Sequence, residues 1–92
     1  MTTSGQVHIR FFAALREQLN CSELVVTLTP EVVTIGQLRA QLIAQHPEWA
    51  GSLGNDRSLR MAYQQVMCDA AQVLDPSALR HEVAFFPPVT GG

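Results

Sequence analysis

The chain has 92 residues, of which 47% are hydrophobic, and this fits one small folded domain. Its formal net charge is −2 at pH 7 and it has no basic cluster, which argues against binding the phosphates of a nucleic acid. No stretch approaches the roughly 18 apolar residues of a membrane span, and residues 1–6 lack the basic and apolar regions of a signal peptide. We therefore expect a cytoplasmic protein.

The first part of the chain predicts two strands joined by a short helix. Residues 7–11 alternate apolar and polar side chains, as in a strand with one face buried, and Phe12 breaks the alternation and should point to the opposite face. Residues 13–19 carry leucines at helical spacing, and residues 23–28 alternate again. The two strands are expected to form an antiparallel pair.

The clearest local signal marks the start of the main helix. Thr34 and Gln37 have the spacing of a capping box, in which each side chain accepts a hydrogen bond from the other residue's backbone. Apolar residues then recur at helical spacing until Pro47, which should end the helix near His46. Trp49 is expected to pack in the core or against the following loop.

The remaining elements are predicted from weaker patterns. Residues 49–58 are rich in glycine and polar side chains and predict a loop, whereas residues 60–67 predict a third strand. A short edge strand is expected over residues 72–74. The last strand is expected over residues 82–86, and it should stop at Pro87–Pro88, since proline cannot donate to a strand ladder.

This order of elements predicts an α+β roll, in which one main helix and one short helix cover one face of a mixed sheet of four to five strands. Residues 1–86 are expected to form the domain, and residues 87–92 an extended tail reaching roughly 20 Å at about 3.3 Å per residue. The sheet face without a helix should expose Phe12 and Phe86, where apolar residues are either simply exposed or a partner site. The pattern places Met67 equally well on either face.

The sequence ends in a stiff proline neck followed by the flexible Gly91–Gly92. A diglycine has no side chain to clash, so it can pass through a narrow channel into the active site of another protein. The α-carboxylate of Gly92, with a reference pKa of about 3.5, is ionised at neutral pH. All six basic residues are arginine, so the chain has no lysine side-chain amine to receive an isopeptide bond, and in any acyl transfer we expect it to be the donor.

Cysteine and histidine give no pattern of a metal site. Cys21 and Cys68 lie far apart, form no CxxC motif and are expected to be free thiols, with a catalytic or redox role as the alternative. His8 and His46 have no ligand spacing. His81 is interpreted as a solvated loop histidine. We therefore expect no metal.

Four segments together carry a family resemblance. They are Phe11–Glu17 (FFAALRE), the helix start with Thr34 and Leu38–Arg39, His46–Pro47 with Trp49, and the run EVAFFPPVTGG over residues 82–92. In these segments the chain resembles the small, sulfur-carrying subunit of molybdopterin synthase, the MoaD family. The match spans nearly the whole chain, and the C-terminal run is its most specific part. It implies a ubiquitin-like β-grasp fold.

The resemblance also implies a chemistry for the C-terminus. A MoeB-like enzyme, using ATP and Mg²⁺, would adenylate Gly92, and sulfur from a persulfide donor would then convert it to a thiocarboxylate. That sulfur would pass to cyclic pyranopterin monophosphate in molybdenum cofactor biosynthesis. The active site would lie in a MoaE-like large subunit, with which this chain forms a heterotetramer. The chain would thus be a non-catalytic, sulfur-donating subunit with no permanently bound cofactor.

The resemblance assigns roles to individual positions. The reacting residue is Gly92, the residues that insert with the tail are Pro87, Pro88, Val89, Thr90 and Gly91, and the partner patch is Phe12, Met67 and Phe86. An acidic partner group for Arg16 is an alternative to an ordinary solvated side chain. The chain departs from the family at Leu79–His81, where an acidic glycine-containing turn is usual, and at Gln64–Gln65, where an Asn-Gln pair is frequent.

Several alternatives stay open. The chain resembles a carrier for molybdenum cofactor synthesis more than one for thiamine or cysteine pathways, because thiamine carriers usually lack the Phe-Phe-Pro-Pro neck. A ubiquitin-like protein modifier begins with the same adenylate, so the diglycine does not separate it from a sulfur carrier. A plain interaction domain with an inert tail is the remaining hypothesis.

Overall fold

The computed structural model describes residues 5–29, 31–54 and 59–87, and over these ranges the chain forms a mixed five-stranded sheet with helices packed on it. The elements in chain order are β1 (Gln6–Phe11), α1 (Ala13–Leu19), β2 (Glu23–Thr27), α2 (Ile35–Gln45), a 3-10 turn (Pro47–Trp49), α3 (Ala50–Leu53), β3 (Arg60–Tyr63), β4 (Val66–Cys68) and β5 (Arg80–Phe86). The strand order is β2-β1-β5-β3-β4, with β1 and β5 parallel and the other neighbours antiparallel. The predicted α+β roll and the antiparallel β1–β2 pair are confirmed.

The core lies between one face of the sheet and the helices. The buried side chains of α1, α2 and α3 belong to the same cluster as the inward side chains of β1, β3 and β5. Phe11 stacks on Phe85 with 6.0 Å between ring centroids and meets Trp49 edge-on at 5.5 Å. Each large apolar side chain buried in this way stabilises the fold by about 1.5–3 kcal/mol. The expected core position of Trp49, which is 7% exposed, is confirmed.

Hydrogen bonds at the ends of both longer helices match the sequence pattern. Asn20 ends α1 in the left-handed conformation, at φ 53°, and its N–H donates to the carbonyl oxygens of the last turn. At α2 the capping box is present: the Thr34 hydroxyl accepts from the Gln37 N–H at 3.2 Å, and the Gln37 carbonyl Oε1 accepts from the Thr34 N–H at 3.1 Å. Such a cap contributes about 1 kcal/mol. The helix ends at His46, as predicted.

Residues 49–58 are not the loop that the sequence predicted. Pro47–Trp49 forms a 3-10 turn and Ala50–Leu53 a short α-helix, while residues 55–58 lie outside the described residues. The prediction was wrong because one helical turn is too short to show a periodic pattern in the sequence. The turn is held by burial of Trp49 and Leu53 in the core, which depends on residues distant in the sequence. Arg39 of α2 donates to the carbonyl oxygens of Leu53 and Gly54, which fixes the end of α3.

The segment predicted as one strand over residues 60–67 is a hairpin of β3 and β4. Gln64 and Gln65 connect the strands with φ of 49° and 69°. A two-residue type I′ turn needs positive φ at both positions, where Asn-Gly is usual, so two glutamines gave no turn signal. The edge strand expected over residues 72–74 is also absent, since the structure has only a bridge between Thr34 and Val73 there.

A buried polar contact links β3 and β5. β5 begins at Arg80, earlier than predicted, and carries His81 into the core at 1% exposure, so its interpretation as a solvated histidine was wrong. The His81 Nδ1 lies 2.7 Å from the Tyr63 hydroxyl, which accepts the Asp75 N–H at 2.8 Å. Burial lowers the pKa of His81, although the Asp75 charge opposes the shift. Burial also raises the pKa of Tyr63.

Candidate functional site

The tail leaves the domain from the end of β5, which lies between β1 and β3 in the sheet. Pro87 follows the strand directly and is half-buried. It ends the ladder because it has no N–H to donate. The remaining predicted tail residues lie outside the described residues; they are Pro88, Val89, Thr90, Gly91 and Gly92. The structure therefore shows where β5 ends, and the start of the tail and the roles of its residues stay predictions.

The strand residues that point away from the core define an outer sheet face. Cross-strand pairing places Met67 beside Ala62, Ala62 beside Ala84, and Ala84 beside Arg10, so these four side chains share that face. The same alternation places Phe86 there, two residues after Ala84. A continuous row of side chains therefore runs across four strands, close to the start of the tail.

Phe12 and Phe86 form an aromatic pair at the base of the tail. Their rings are stacked, with 4.9 Å between centroids and 10° between planes, and both residues are half-buried. The Phe12 N–H donates to the Phe85 carbonyl oxygen at 3.2 Å, which holds the first residue after β1 against the end of β5. The prediction that both rings face away from the core is confirmed. Such stacking contributes about 0.5–1.5 kcal/mol beyond burial.

Met67 lies on the same outer face, which settles the alternative that the sequence left open. Its side chain is 51% exposed. The floor between Met67 and the aromatic pair consists of two small side chains, Ala62 and Ala84. The three residues of the predicted partner patch are thus brought together on one face, and their contact with a partner remains a prediction.

Sequence reasoning missed the arginines beside this aromatic pair. The Arg10 Cζ lies 5.4 Å from the centroid of the Phe12 ring, a cation–π contact. Arg60 lies opposite Phe86 in the pairing of β3 with β5. Both arginines are exposed. The signal for Arg10 was its position two residues before Phe12, which puts the two side chains on one face of a strand.

The other candidate side chains show no reactive arrangement. Cys21 and Cys68 are free and half-buried, as expected for thiols without a disulfide. Burial raises the pKa of Cys68, with a further rise from the charge of Asp69, and a thiol held protonated is a poor nucleophile. Arg16 is exposed on α1, and no finding tests its pairing with a partner. Within residues 5–29, 31–54 and 59–87, no three His, Cys, Asp or Glu residues are placed to hold a metal ion.

No helix in the described part of the chain has the length and apolar character needed to cross a membrane. The longest is α2, with 11 residues. The division into a domain over residues 1–86 and a tail over residues 87–92 stays a prediction.

Comparison with known families gives a match over most of the chain. The model of the ThiS family matches residues 9–92. The molybdopterin synthase sulfur carrier subunit of Escherichia coli K12 is 33% identical over 86 residues, which cover 94% of this chain and 99% of that protein. The match to the family model includes residues 82–92, the C-terminal run that carries most of the resemblance.

Solved structures show the same fold. The crystal structure of SAMP1 from Haloferax volcanii has a TM-score of 0.74 and 24% identity, covering 96% of this chain and 100% of that chain. One chain of the complex of subunits 1 and 2 of molybdopterin-converting factor from Helicobacter pylori has a TM-score of 0.58 and 20% identity, covering 95% of this chain and 99% of that one. The expected ubiquitin-like β-grasp fold is confirmed.

Proposed function

This chain belongs to the ThiS family, and from that premise we propose that it is the sulfur carrier subunit of a molybdopterin synthase. The observation that carries the proposal is the 33% identity, over nearly the full length of both chains, to a protein with that function. The structure supports it by placing the base of the tail at the end of a central strand, next to a half-buried aromatic pair on the outer sheet face.

The chemistry follows from the terminal carboxylate of Gly92. A carboxylate resists nucleophilic attack because it is negatively charged and has no good leaving group. Joining it to AMP, with release of pyrophosphate from ATP, gives a mixed anhydride. The terminal sulfur of a persulfide attacks the carbonyl carbon and AMP leaves; a thiol then cleaves the S–S bond and leaves a thiocarboxylate. ATP and Mg²⁺ are bound by the MoeB-like activating enzyme.

The tail suits this role through its backbone. Two consecutive prolines favour a stiff, polyproline-like path, and the final glycines add no side chain that would widen a segment entering a partner. An extended chain of six residues, at about 3.3 Å per residue, would reach roughly 20 Å, far enough to enter a buried active site. The domain itself then stays outside that site and docks by its surface.

The proposed partner is a MoaE-like large subunit, which holds the catalytic residues and the pterin substrate. The Helicobacter pylori structure that shares this fold is a complex of subunits 1 and 2 of molybdopterin-converting factor. We propose that the patch of Phe12, Met67 and Phe86 contacts the large subunit while the tail enters it. Two copies of each subunit form the assembly.

Intact-mass measurement tests the proposal. The full chain is incubated with a MoeB-like enzyme, ATP, Mg²⁺ and a persulfide donor, beside a variant that lacks Gly92. We expect exchange of one terminal oxygen for sulfur in the full chain alone. Adding the large subunit and cyclic pyranopterin monophosphate should return the carboxylate as product forms. An unchanged mass contradicts the proposal and favours an inert tail.

The same assay distinguishes a sulfur carrier from a protein modifier. Proteins named small archaeal modifier proteins share this fold. A modifier transfers its C-terminus to lysine amines, so it would appear as a covalent adduct of target proteins. A thiocarboxylate that forms but does not react with the pterin precursor would instead favour a carrier for thiamine or cysteine synthesis.

A further inference from the structure

Arg10 lies beside a carboxylate on its own sheet face but forms no salt bridge with it. It lies directly opposite Glu23 in the pairing of β1 with β2. The Glu23 carboxylate nevertheless pairs with His8, at 3.4 Å from the His8 Nε2. Among the residues that the structure describes, Arg10 has no salt bridge, and its guanidinium lies over the Phe12 ring instead. The charge is therefore directed toward the aromatic pair and the base of the tail.

Arg60 lies on the opposite side of the same pair. It is exposed, stands beside Phe86 in the sheet, and forms no salt bridge with any other described residue. It also lines an open cleft of about 580 Å³ with Met67, and Asp69 is the acidic side chain in that lining. The aromatic pair is thus flanked by Arg10 on β1 and Arg60 on β3.

The carboxylates on this face form no salt bridge with Arg10 or Arg60 among the described residues. Glu82 is four residues before Phe86 on β5, about 13 Å along the strand, and Glu23, which lies opposite Arg10 on β2, is 3.4 Å from the His8 Nε2 instead. The aromatic pair at the end of the face nearest the tail therefore has an exposed arginine on each side.

We propose that this end of the outer sheet face docks a partner surface of matching shape and opposite charge. That surface covers the aromatic pair and Met67 with apolar side chains and places carboxylates against Arg10 and Arg60. Docking removes water from both guanidinium groups, and a buried charge without a partner is costly, so acidic groups are the partner chemistry that fits. The inference rests on the proposed function, since it takes the large synthase subunit as the occupant.

Binding of the full chain to the large subunit from the same organism tests the proposal by calorimetry. The variants are Arg10→Gln and Arg60→Gln, with Arg80→Gln as the matched control. Arg80 lies on the same face of β5, about 20 Å from Phe86 along the strand, and its loss changes the net charge equally. Urea midpoints of all variants are measured to show that the fold is intact.

At about 50 mM salt we expect Arg10→Gln and Arg60→Gln each to raise Kd by roughly three- to tenfold and Arg80→Gln by less than about twofold. At about 500 mM salt the Kd values of Arg10→Gln and Arg60→Gln should approach that of Arg80→Gln, because salt screens the attraction between the arginines and the partner's carboxylates. Equal affinities of all three variants at low salt would overturn the inference while leaving the proposed function in place. Failure of the unaltered chain to bind the large subunit would contradict both, whereas failure to form a thiocarboxylate would contradict the proposed function.

Discussion

Replacing Tyr63 by Phe removes one hydroxyl from the core and keeps the aromatic ring. That hydroxyl contacts the His81 Nδ1 at 2.7 Å and accepts the Asp75 N–H at 2.8 Å. His81 is 1% exposed, and its Nε2 is already buried without a hydrogen-bond partner among the described residues. The substitution therefore leaves the imidazole without its remaining hydrogen bond and releases the segment at Asp75 from β3.

The expected cost follows from these two groups. A buried polar group left unpaired costs about 1–3 kcal/mol, and the Asp75 N–H, which belongs to an exposed residue, can partly return to water. We expect a loss of about 2 kcal/mol in the free energy of unfolding. For a domain of this size that lowers Tm by about 8–16 °C. Since the ring remains, no cavity adds to the cost.

Urea unfolding followed by the fluorescence of Trp49, the only tryptophan, measures this change. Trp49 is buried against Phe11, so its emission reports the packed core. Thr27→Val, which removes an exposed hydroxyl from β2, is the matched control and should stay within about 0.5 kcal/mol. A Tyr63→Phe variant as stable as this control would refute the reasoning. A double variant that also carries His81→Leu should regain part of the loss, because no unpaired imidazole remains.

Three further predictions concern pH, the hairpin turn and the tail. Burial lowers the pKa of His81, so the unfolded chain binds a proton at a higher pH than the folded chain. The free energy of unfolding should therefore fall as pH drops below about 6.5. Urea midpoints between about pH 8 and 5 should show this loss, and His81→Leu should make the midpoint depend less on pH. Gln65→Gly should raise the free energy of unfolding by about 1 kcal/mol, since φ is 69° there, whereas an equal gain from Gln65→Ala would contradict this cause. Gly91→Val should block entry of the tail into either partner and abolish sulfur transfer in a reconstituted assay, with Thr90→Val, which adds no bulk, as control. Unchanged thiocarboxylate formation and transfer by Gly91→Val would contradict the proposed threading.

Local sequence patterns predicted the elements that are long enough to show a periodic arrangement of apolar side chains. The alternation in β1 and β5 predicted both buried and exposed faces, and the Thr34–Gln37 spacing predicted the capping box. The same alternation, extended back from Phe85 in steps of two, reaches His81 and would have placed it in the core. It was missed because the strand was started too late, at residue 82.

The hairpin turn was not predictable from residue types. Gln64 holds its conformation through contacts with β5: its side-chain oxygen accepts the Glu82 N–H at 2.9 Å, and its side-chain nitrogen donates to the Arg80 carbonyl at 3.1 Å. These bonds offset the cost of positive φ at a residue other than glycine. They require β5 to be in place beside β3, so no local window of sequence contains the reason for the turn.

The sequence by itself determined the Gly91–Gly92 pair, the absence of lysine and the places of β1, α1, β2, α2 and β5, because each depends on residue type or on a period within one segment. Only the tertiary structure decided which side chains meet. Parallel pairing of β1 with β5 stacks Phe12 on Phe86, and the pairing of β3 with β5 adds Arg60 beside them. Strand order and register set these contacts, and both depend on the whole core, since a slip of one residue would turn every side chain of a strand to the other face.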